Sequence, residues 1–108
     1  MLLPLSYVVV LFCTGSMTGI DSLCPVTDPY LLIPLNVQYV LPGTELNPGS
    51  IYGYQTDDSR FQFIVHRLIS YDKNFAVFKG DSNEYSEIVS SSRIIFKVNG
   101  KLEENIYA

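Results

Sequence analysis

His66 is the only histidine of this 108-residue chain and its first candidate for acid–base chemistry. A catalytic triad also needs a nucleophile and an orienting carboxylate, and no Gly-x-Ser-x-Gly nucleophile motif occurs. The chain has two pairs of adjacent carboxylates, Asp57 with Asp58 and Glu103 with Glu104. Neighbouring side chains on a strand point to opposite faces, so neither pair is arranged for acid–base catalysis. The sequence predicts no catalytic residue, and a small exported enzyme using His66 is a minor alternative.

Metal chemistry has a weak basis in this sequence. Zinc sites need three or four Cys, His or carboxylate ligands, and the chain has one histidine and two cysteines. Calcium prefers oxygen ligands, which gather in polar segments around Asp57, Asp72 and Asp81. Polar loops commonly have this composition, and no EF-hand loop is present. We therefore predict no cofactor, with calcium as the minor alternative.

The opening segment, residues 1–20, contains no charged residue and no histidine. Its apolar run has the length of a signal-peptide core and is shorter than the roughly 18 to 20 residues needed to span a bilayer. Thr14, Gly15 and Ser16 supply the small residues that signal peptidase prefers. We predict a signal peptide over residues 1–16, with cleavage near 15–19. An uncleaved membrane anchor and an ordinary buried segment are the alternatives.

Cleavage there would decide the chemistry of the two cysteines. Cys13 would leave with the leader, and Cys24 would be the single cysteine of an exported protein. An odd cysteine in such a protein indicates an intermolecular disulfide or a free thiol, and a thiol buried as a small hydrophobe fits equally well. The expected location is secreted or on the extracellular face of a membrane, with Cys24 as a candidate for an intermolecular disulfide.

The distribution of charge excludes one class of partner. The formal net charge is −4, and the seven Lys and Arg residues occur singly along the chain. Nucleic-acid binding needs clustered cations that neutralise several phosphates, so we predict no nucleic-acid partner. Contact with a membrane is expected only if the opening segment is uncleaved.

The eight tyrosines, in a chain without tryptophan, are the candidates for a protein contact surface. Tyr52 and Tyr54 flank Gly53 in a segment that leads to Asp57 and Asp58. Tyrosine offers a large contact area at low entropic cost. We predict a partner-binding segment formed by Tyr52, Tyr54, Asp57 and Asp58. Cross-strand packing in a small core is the alternative role of the tyrosines.

The elements that position these residues are short apolar segments separated by turn signals, without a convincing helical period after the leader. Residues 17–29 are predicted to be irregular because prolines recur there, and residues 30–108 to form one small β domain. The predicted strands are 30–33, 35–41, 51–55, 61–70, 75–78, 93–98 and 101–107, with 85–89 either a strand or a helical turn. This pattern predicts an all-β fold, a small antiparallel β-sandwich of the immunoglobulin-like or cadherin-like kind.

Three local signals refine the fold. Pro34 is expected to end the first strand. Gly53 is expected to mark a bulge or a close approach of the backbone. Asn99-Gly100 is the strongest hairpin signal, because a type I′ turn needs positive φ at both central residues. The weakly apolar strand after this turn indicates an edge strand or a domain truncated at its C-terminus.

The order of several segments resembles the second half of the cadherin-like immunoglobulin module of dystroglycan and sarcoglycan. These segments are Pro48-Gly49-Ser50-Ile51-Tyr52-Gly53, Thr56-Asp57-Asp58-Ser59, Phe61-Gln62-Phe63-Ile64-Val65, Tyr71-Asp72-Lys73-Asn74-Phe75 and Arg93-Ile94-Ile95-Phe96-Lys97-Val98. The resemblance covers about half of the chain, and the segment 79–92 is long for such a module. Modules of this kind bind partners at membranes, which is all that the resemblance implies; it assigns no functional residue.

Together these observations predict a secreted or cell-surface module that binds or adheres to a protein partner and is not an enzyme. A structural or assembly protein, joined through Cys24 or through edge-strand pairing, is the main alternative and includes a homo-oligomer. The small exported enzyme is the third.

Overall fold

The computed structural model describes residues 6–13, 15–19, 22–24, 32–57 and 63–102. These residues form seven strands, and their one helical element is a 3₁₀ turn, Ser91–Arg93. The strands are β1 (Ser6–Phe12), β2 (Leu32–Tyr39), β3 (Ile51–Tyr54), β4 (Ile64–Tyr71), β5 (Phe75–Lys79), β6 (Glu87–Ser90) and β7 (Ile94–Lys101). No helix in this part of the chain is long and apolar enough to cross a membrane.

All seven strands belong to one open antiparallel sheet, in the order β1-β2-β7-β3-β4-β5-β6. The predicted all-β class is confirmed, although the described strands pair in one sheet and not in two stacked sheets. Cross-strand pairing assigns a first set of residues to one side, called face A: Val37, Gly53, Val65 and Phe96. The opposite side, called face B, carries a second set: Tyr52, Tyr54, His66 and Phe78.

Face A is covered by the segment that contains both cysteines. Its buried side chains pack with those of β2, β4 and β7 in one cluster: Cys13, Met17, Leu23, Cys24, Ile33, Leu35, Val37, Val65 and Phe96. The segment folds back on itself, because Cys24 N donates to the Met17 carbonyl at 2.8 Å. Part of the segment predicted to be irregular therefore closes one of the two hydrophobic cores.

The second core lies on face B, under the loop that precedes β3. It contains Leu46, Tyr52, Tyr54, Leu68, Ala76, Phe78 and Ile94. Phe78 stacks on Tyr54 with ring centroids 4.4 Å apart and meets Tyr52 edge-on at 6.5 Å. Asn47 N donates to the Tyr52 hydroxyl at 2.9 Å, which satisfies the polar end of this buried ring and holds the loop on the sheet.

Gly53 lies at the expected close approach of the backbone. A Cβ atom at this position would be 2.5 Å from Cε1 and Cε2 of Phe96, and nearer still to Cζ. The Phe96 ring therefore crosses β3 at the one residue without a side chain. The register of β3 against β7 also shifts between Gly53 and Tyr54, but the extra residue is Ile95 on β7, so the bulge lies on the partner strand and not at Gly53 itself.

The predicted leader contributes strand β1 to the fold. β1 pairs with β2 along its whole length, from Ser6 opposite Gln38 to Phe12 opposite Leu32. Alternate β1 side chains pack against the face A core, namely Tyr7, Val9 and Leu11. Cleavage near residues 15–19 stays a prediction, and it would remove this strand.

Cys24 forms an intramolecular disulfide with Cys13. The structure thereby corrects the expectation of a lone thiol or an intermolecular bond at Cys24. The expectation followed from removing Cys13 with the leader, whereas a retained β1 ends beside Cys24 in the face A core. Both sulfur-bearing residues are buried there.

Pro34 does not end a strand, because β2 runs through it. Its carbonyl accepts a hydrogen bond from Leu102 N at 3.1 Å, just beyond the end of β7. Regular pairing with β7 begins at the next residue, Leu35 opposite Lys101. Proline lacks the backbone N–H group and therefore one hydrogen-bond donor. Because Pro34 lies where the pairing with β7 ends, the loss of this one hydrogen bond costs little.

Asn99-Gly100 does not form the predicted hairpin. β7 continues through both residues, and β2 pairs Val37 with Val98 but Asn36 with Gly100. Asn99 is therefore the extra residue of a bulge. The hydrogen bonds offered by β2 replace those of a local turn, so β7 stays extended.

Other strand boundaries differ by a few residues from the prediction. The strand expected over 61–70 is β4, which is an inner strand of the sheet, and residues 61 and 62 lie outside the described residues. The ambiguous segment 85–89 overlaps the edge strand β6. The strand expected over 101–107 lies outside the described residues after Leu102.

Candidate functional site

Tyr52 and Tyr54 lie in the interior, which corrects the prediction that they form a contact surface. Each side chain is 1% exposed. Both point to face B because Gly53 separates them, and the second core covers this part of face B. Cross-strand packing, the alternative role, applies to both tyrosines.

The other predicted contact residues do not gather around these tyrosines. Asp57 is exposed, and its Oδ1 lies 2.9 Å from Arg93 Nη1. An exposed ion pair of this kind contributes roughly 0 to 1 kcal/mol. Asp58 lies outside the described residues. The described part of the predicted segment therefore does not present an open binding surface.

The oxygen-rich segments considered for calcium have other roles where the structure describes them. In this part of the chain no group of three or more His, Cys, Asp or Glu side chains is placed to hold a metal ion. Asp72 Oδ1 accepts hydrogen bonds from Phe75 N and Asn74 N, both 2.8 Å long. These bonds lower the pKa of the Asp72 carboxyl and stabilise the turn between β4 and β5.

His66 belongs to a hydrogen-bond network with the buried Tyr54 and the partly exposed Glu87. The histidine is 8% exposed, and its Nδ1–H donates to Glu87 Oε1 at 2.8 Å. The Tyr54 hydroxyl donates to the same carboxylate oxygen. β4 and β5 separate Tyr54 on β3 from Glu87 on β6, so this contact requires the sheet to curl around face B. The network links β3, β4 and β6, because the polar groups of Tyr54, His66 and Glu87 bond to one another.

Raising the pH above about 10 is expected to destabilise the protein through Tyr54. Burial, reinforced by the hydrogen bond to Glu87, raises the pKa of the Tyr54 hydroxyl above its ordinary value. A tyrosine in the unfolded chain ionises near pH 10, so the unfolded state loses this proton first as the pH rises. The stabilisation is fully present below about pH 10 and decreases above it. Urea unfolding between about pH 8 and about pH 11 should show a smaller loss for Tyr54→Phe than for wild type.

Tyr85→Phe is the matched control for this measurement, because Tyr85 is largely exposed. Its unfolding free energy should follow the wild-type pH dependence. The same alkaline decrease in wild type and in Tyr54→Phe would contradict the assignment to Tyr54.

Arg67 and Asp81 form a partly buried bidentate ion pair on face A. Arg67 Nε donates to Asp81 Oδ1 at 2.8 Å, and Nη2 donates to Oδ2 at 2.7 Å. Arg67 Nη1 donates to the Gly49 carbonyl at 2.7 Å. The hydrogen bonds to Arg67 lower the pKa of Asp81, and those to Asp81 raise the pKa of Arg67. Both groups are therefore charged at neutral pH, and they tie β4 to the loop after β5.

A pocket of about 360 Å³ lies beside this ion pair. Its walls come from the cysteine-containing segment and from β4, β5 and the loop after β5: Thr18, Gly19, Ser22, Arg67, Ile69, Lys79 and Asp81. The volume falls within the range of roughly 300 to 1,000 Å³ typical of small-molecule sites. This arrangement brings together charged residues that are far apart in the sequence.

An apolar surface adjoins the pocket and is named the β5–β6 patch: the exposed Ile69, Phe75 and Ile88 and the half-buried Val77. Ile88 is 69% exposed and lies directly opposite Val77, and Phe75 is 54% exposed on the same side of β5. Ile69 belongs to both the pocket and the patch. The face A core extends over the other end of the sheet, so this end of face A is left open to solvent.

A second exposed apolar surface lies at the opposite edge of the sheet and is named the β1 stripe: Val8, Val10, Phe12 and Leu32. Each of these side chains is at least half exposed. They share face B, with Phe12 directly opposite Leu32. The second core does not reach this edge.

Sequence reasoning missed Arg67, Glu87 and Ile88 as candidate functional residues. The sequence could have indicated Arg67, because a positively charged side chain on an inner strand needs an oppositely charged or hydrogen-bonding group beside it. Glu87 and Ile88 lie in a segment without a clear period, so the sequence assigns neither side chain to a face. Their importance follows from the sheet order, which places β6 at an edge and over Tyr54.

The fold and these surfaces define a class: an all-β protein with one open antiparallel sheet, a disulfide in one core and an exposed apolar patch. Comparison with protein-family models, with curated proteins and with solved structures finds no match to this chain. Function is therefore inferred from the residues themselves.

Proposed function

We propose that this protein is a secreted or cell-surface, non-enzymatic module that binds a protein partner through the β5–β6 patch. The exposure of Ile88 and Phe75 carries the proposal. Contiguous apolar side chains on the surface of a folded domain mark interaction sites. The patch also has the charged pocket at its rim, and an apolar centre with a polar rim is typical of protein interfaces.

The edge strand β6 adds backbone groups to this surface. It pairs with β5 on one side, and among the described residues no strand pairs with its other side. An extended segment of a partner can add to such an edge through main-chain hydrogen bonds. β6 has only 4 residues, so we expect the side chains of the patch to provide most of the affinity.

Export has two alternative supports: the Cys13–Cys24 disulfide if residues 1–16 are retained, and the signal-peptide character of residues 1–16 if they are cleaved. Disulfides persist in oxidising compartments and are rare in the cytosol. The resemblance to the cadherin-like module of dystroglycan and sarcoglycan supports a partner-binding role at a membrane surface. It also supports an immunoglobulin-like arrangement, for which the curl of the sheet around face B is the structural argument.

Replacing Ile88 with lysine is expected to weaken partner binding strongly while leaving the fold intact. The exposed side chain makes few contacts within the protein, whereas a lysine would place a charge at the centre of the interface. Removing a central contact residue typically costs about 2 kcal/mol or more of binding free energy. Tagged wild-type protein would capture surface proteins from the producing cells, and calorimetry with the purified partner would then give the Kd of each variant.

Leu41→Lys is the matched control, because Leu41 is 62% exposed and lies in a separate loop. This variant should bind with the wild-type Kd. A partner that binds Ile88→Lys as tightly as wild type would exclude the β5–β6 patch as its contact surface. If wild type retains no partner that can be purified and shown to bind, the proposed function is wrong.

Self-assembly through β1 is a second candidate, favoured by the β1 stripe. β1 is an edge strand of the described sheet, is uncharged and lacks proline, and its pairing with β2 shows no bulge. Edges that lack charge, proline and bulges pair readily with other chains. Linkage through Cys24 is not part of this candidate, because that sulfur is bonded to Cys13. A constant monomer mass by light scattering at increasing concentration would remove it.

A further inference from the structure

The described residues that line the pocket, from residues 15–19 and 22–24 and from strands β4 and β5 with the loop after β5, carry two cations and one carboxylate, which is an excess of positive charge. Arg67 and Lys79 lie directly opposite each other in the pairing of β4 with β5. Arg67 and Asp81 neutralise each other through two hydrogen bonds. Among the described residues, Lys79 Nζ makes a single hydrogen bond, 3.3 Å long, to the Gly80 carbonyl. An ammonium group has three donors, so Lys79 has donors to offer an anion.

Thr18 brings a second group with unused hydrogen-bonding capacity. Its Oγ1 is the one buried side-chain nitrogen or oxygen of the described residues without a hydrogen-bond partner. Thr18 also lines the pocket. Because Oγ1 has no hydrogen bond to lose, a change of the χ1 rotamer can turn the hydroxyl toward a ligand without breaking one.

The loop that forms one wall of the pocket is held in place by the chain that follows β5. Ser82 N donates to the Ser16 carbonyl at 2.8 Å, and Ser82 Oγ donates to the Thr18 carbonyl. Asp81 N donates to Met17 Sδ at 3.4 Å. These contacts are separate from the disulfide. The backbone of this wall is therefore in place before a ligand arrives and only the Thr18 side chain has to turn, which lowers the entropic cost of binding.

We propose that this pocket is a carboxylate-binding site. The Lys79 ammonium holds the anion by a charge-assisted hydrogen bond, the Thr18 hydroxyl donates a second, and Ile69 packs against the aliphatic part of the ligand. A metal cation is disfavoured, because Asp81 is the one carboxylate among the described residues that line the pocket and is already bonded to Arg67.

The carboxylate belongs either to a free small acid or to an acidic side chain of a protein. The second source rests on the function proposed above, because Ile69 joins the pocket to the β5–β6 patch. Both sources present the same anion to Lys79. Their difference lies in whether neighbouring peptide atoms add to the affinity.

Titration of the ¹⁵N-labelled full-length protein with sodium acetate tests the site, with sodium chloride keeping the ionic strength constant. Amide signals of Thr18, Gly80 and Asp81 are expected to shift and to saturate with a millimolar Kd, because one small anion makes few contacts. Lys79→Gln is expected to raise the Kd about tenfold or more, through loss of the charge-assisted bond. Thr18→Val is expected to raise the Kd by a smaller factor.

Lys73→Gln is the matched control, since it removes the same charge from the turn at the other end of β5. Its Kd for acetate should equal that of wild type. Shifts that do not saturate in wild type, or an equal Kd for wild type and Lys79→Gln, would overturn the proposal. An equal weakening by Lys73→Gln and Lys79→Gln would also overturn it, because net charge alone would then explain the effect.

Two end-blocked tripeptides, Gly-Glu-Gly and Gly-Gln-Gly, distinguish the sources of the carboxylate. Tighter binding of the glutamate peptide than of acetate assigns the pocket to protein side chains, and an equal Kd assigns it to small acids. Equal binding of the glutamine and glutamate peptides would contradict a carboxylate site. The acetate result does not depend on the β5–β6 patch, so it stands whether or not Ile88→Lys abolishes partner binding.

Discussion

Replacing Gly53 with alanine is expected to destabilise the protein by about 3 kcal/mol, at the upper end of the usual cost of overpacking. The new Cβ would lie 2.5 Å from Cε1 and Cε2 of Phe96. The ring has little room to move, because it packs edge-on against Tyr7 and Phe63 with centroids 6.3 and 5.2 Å away. β3 is paired on both sides, with β4 and β7. Urea unfolding should show a lower midpoint with an unchanged slope.

A second substitution distinguishes this clash from other effects of removing a glycine. Leucine has no atoms equivalent to Cε1, Cε2 and Cζ of phenylalanine, so Phe96→Leu deletes the atoms that the new Cβ would meet. Phe96→Leu should destabilise the wild-type protein but restore part of the stability of Gly53→Ala. We expect a coupling energy of about 1 to 2 kcal/mol in the double-mutant cycle. Additive effects of the two substitutions would exclude the clash as the cause.

Breaking the Cys13–Cys24 bond is expected to cost about 3 kcal/mol in the full-length protein, the magnitude that loop-closure entropy gives for a loop of this length. The two cysteines are 11 positions apart. Both are buried in the face A core beside Met17 and Leu23, so reduction there also affects packing. Cys24→Ser and reduced wild type should unfold at similar, lower urea concentrations, measured by far-ultraviolet circular dichroism. An unchanged midpoint on reduction would contradict this expectation.

The same measurements test the predicted leader. Cleavage near residues 15–19 would remove β1 and Cys13, leaving one reactive thiol at Cys24 and an open edge on β2. The exported protein would then have a lower intact mass than the full-length chain, and a reductant would not change its stability. A disulfide-bonded product of full mass would instead show that β1 stays in the folded protein.

The features that sequence patterns predicted correctly have causes within a single strand. Period-two alternation over residues 35–41 places Leu35, Val37, Tyr39 and Leu41 on one buried face, which is correct for Leu35 and Val37 but not for Tyr39 and Leu41, which are 46% and 62% exposed. Gly53 inside an aromatic segment correctly indicates a close approach, because a missing side chain inside a strand leaves space that a neighbour can fill. Neither inference needs to know which strand lies alongside.

The predictions that the structure corrected all depend on which other segment of the chain packs against the residue or pairs with its strand. Alternation puts Tyr52 and Tyr54 on one face, but the loop over face B and the curl of the sheet decide that this face is buried. Asn99-Gly100 favours a turn locally, yet pairing with β2 keeps the chain extended and turns Asn99 into a bulge. Pro34 is tolerated because regular pairing with β7 starts at the next residue.

The sequence by itself determined the all-β class, most strand positions, the uncharged opening segment and the scattered charges from which we predict no nucleic-acid partner. Only the tertiary structure decided the partner of Cys24, the burial of the tyrosines, the Arg67–Asp81 pocket and the exposed β5–β6 patch. The physical reason is the range of each effect. Alternation and turn preferences act between near neighbours, whereas Arg67 and Asp81 are 14 positions apart and Tyr54 and Glu87 are 33 apart. Contacts over such distances exist only once the sheet has formed and curled.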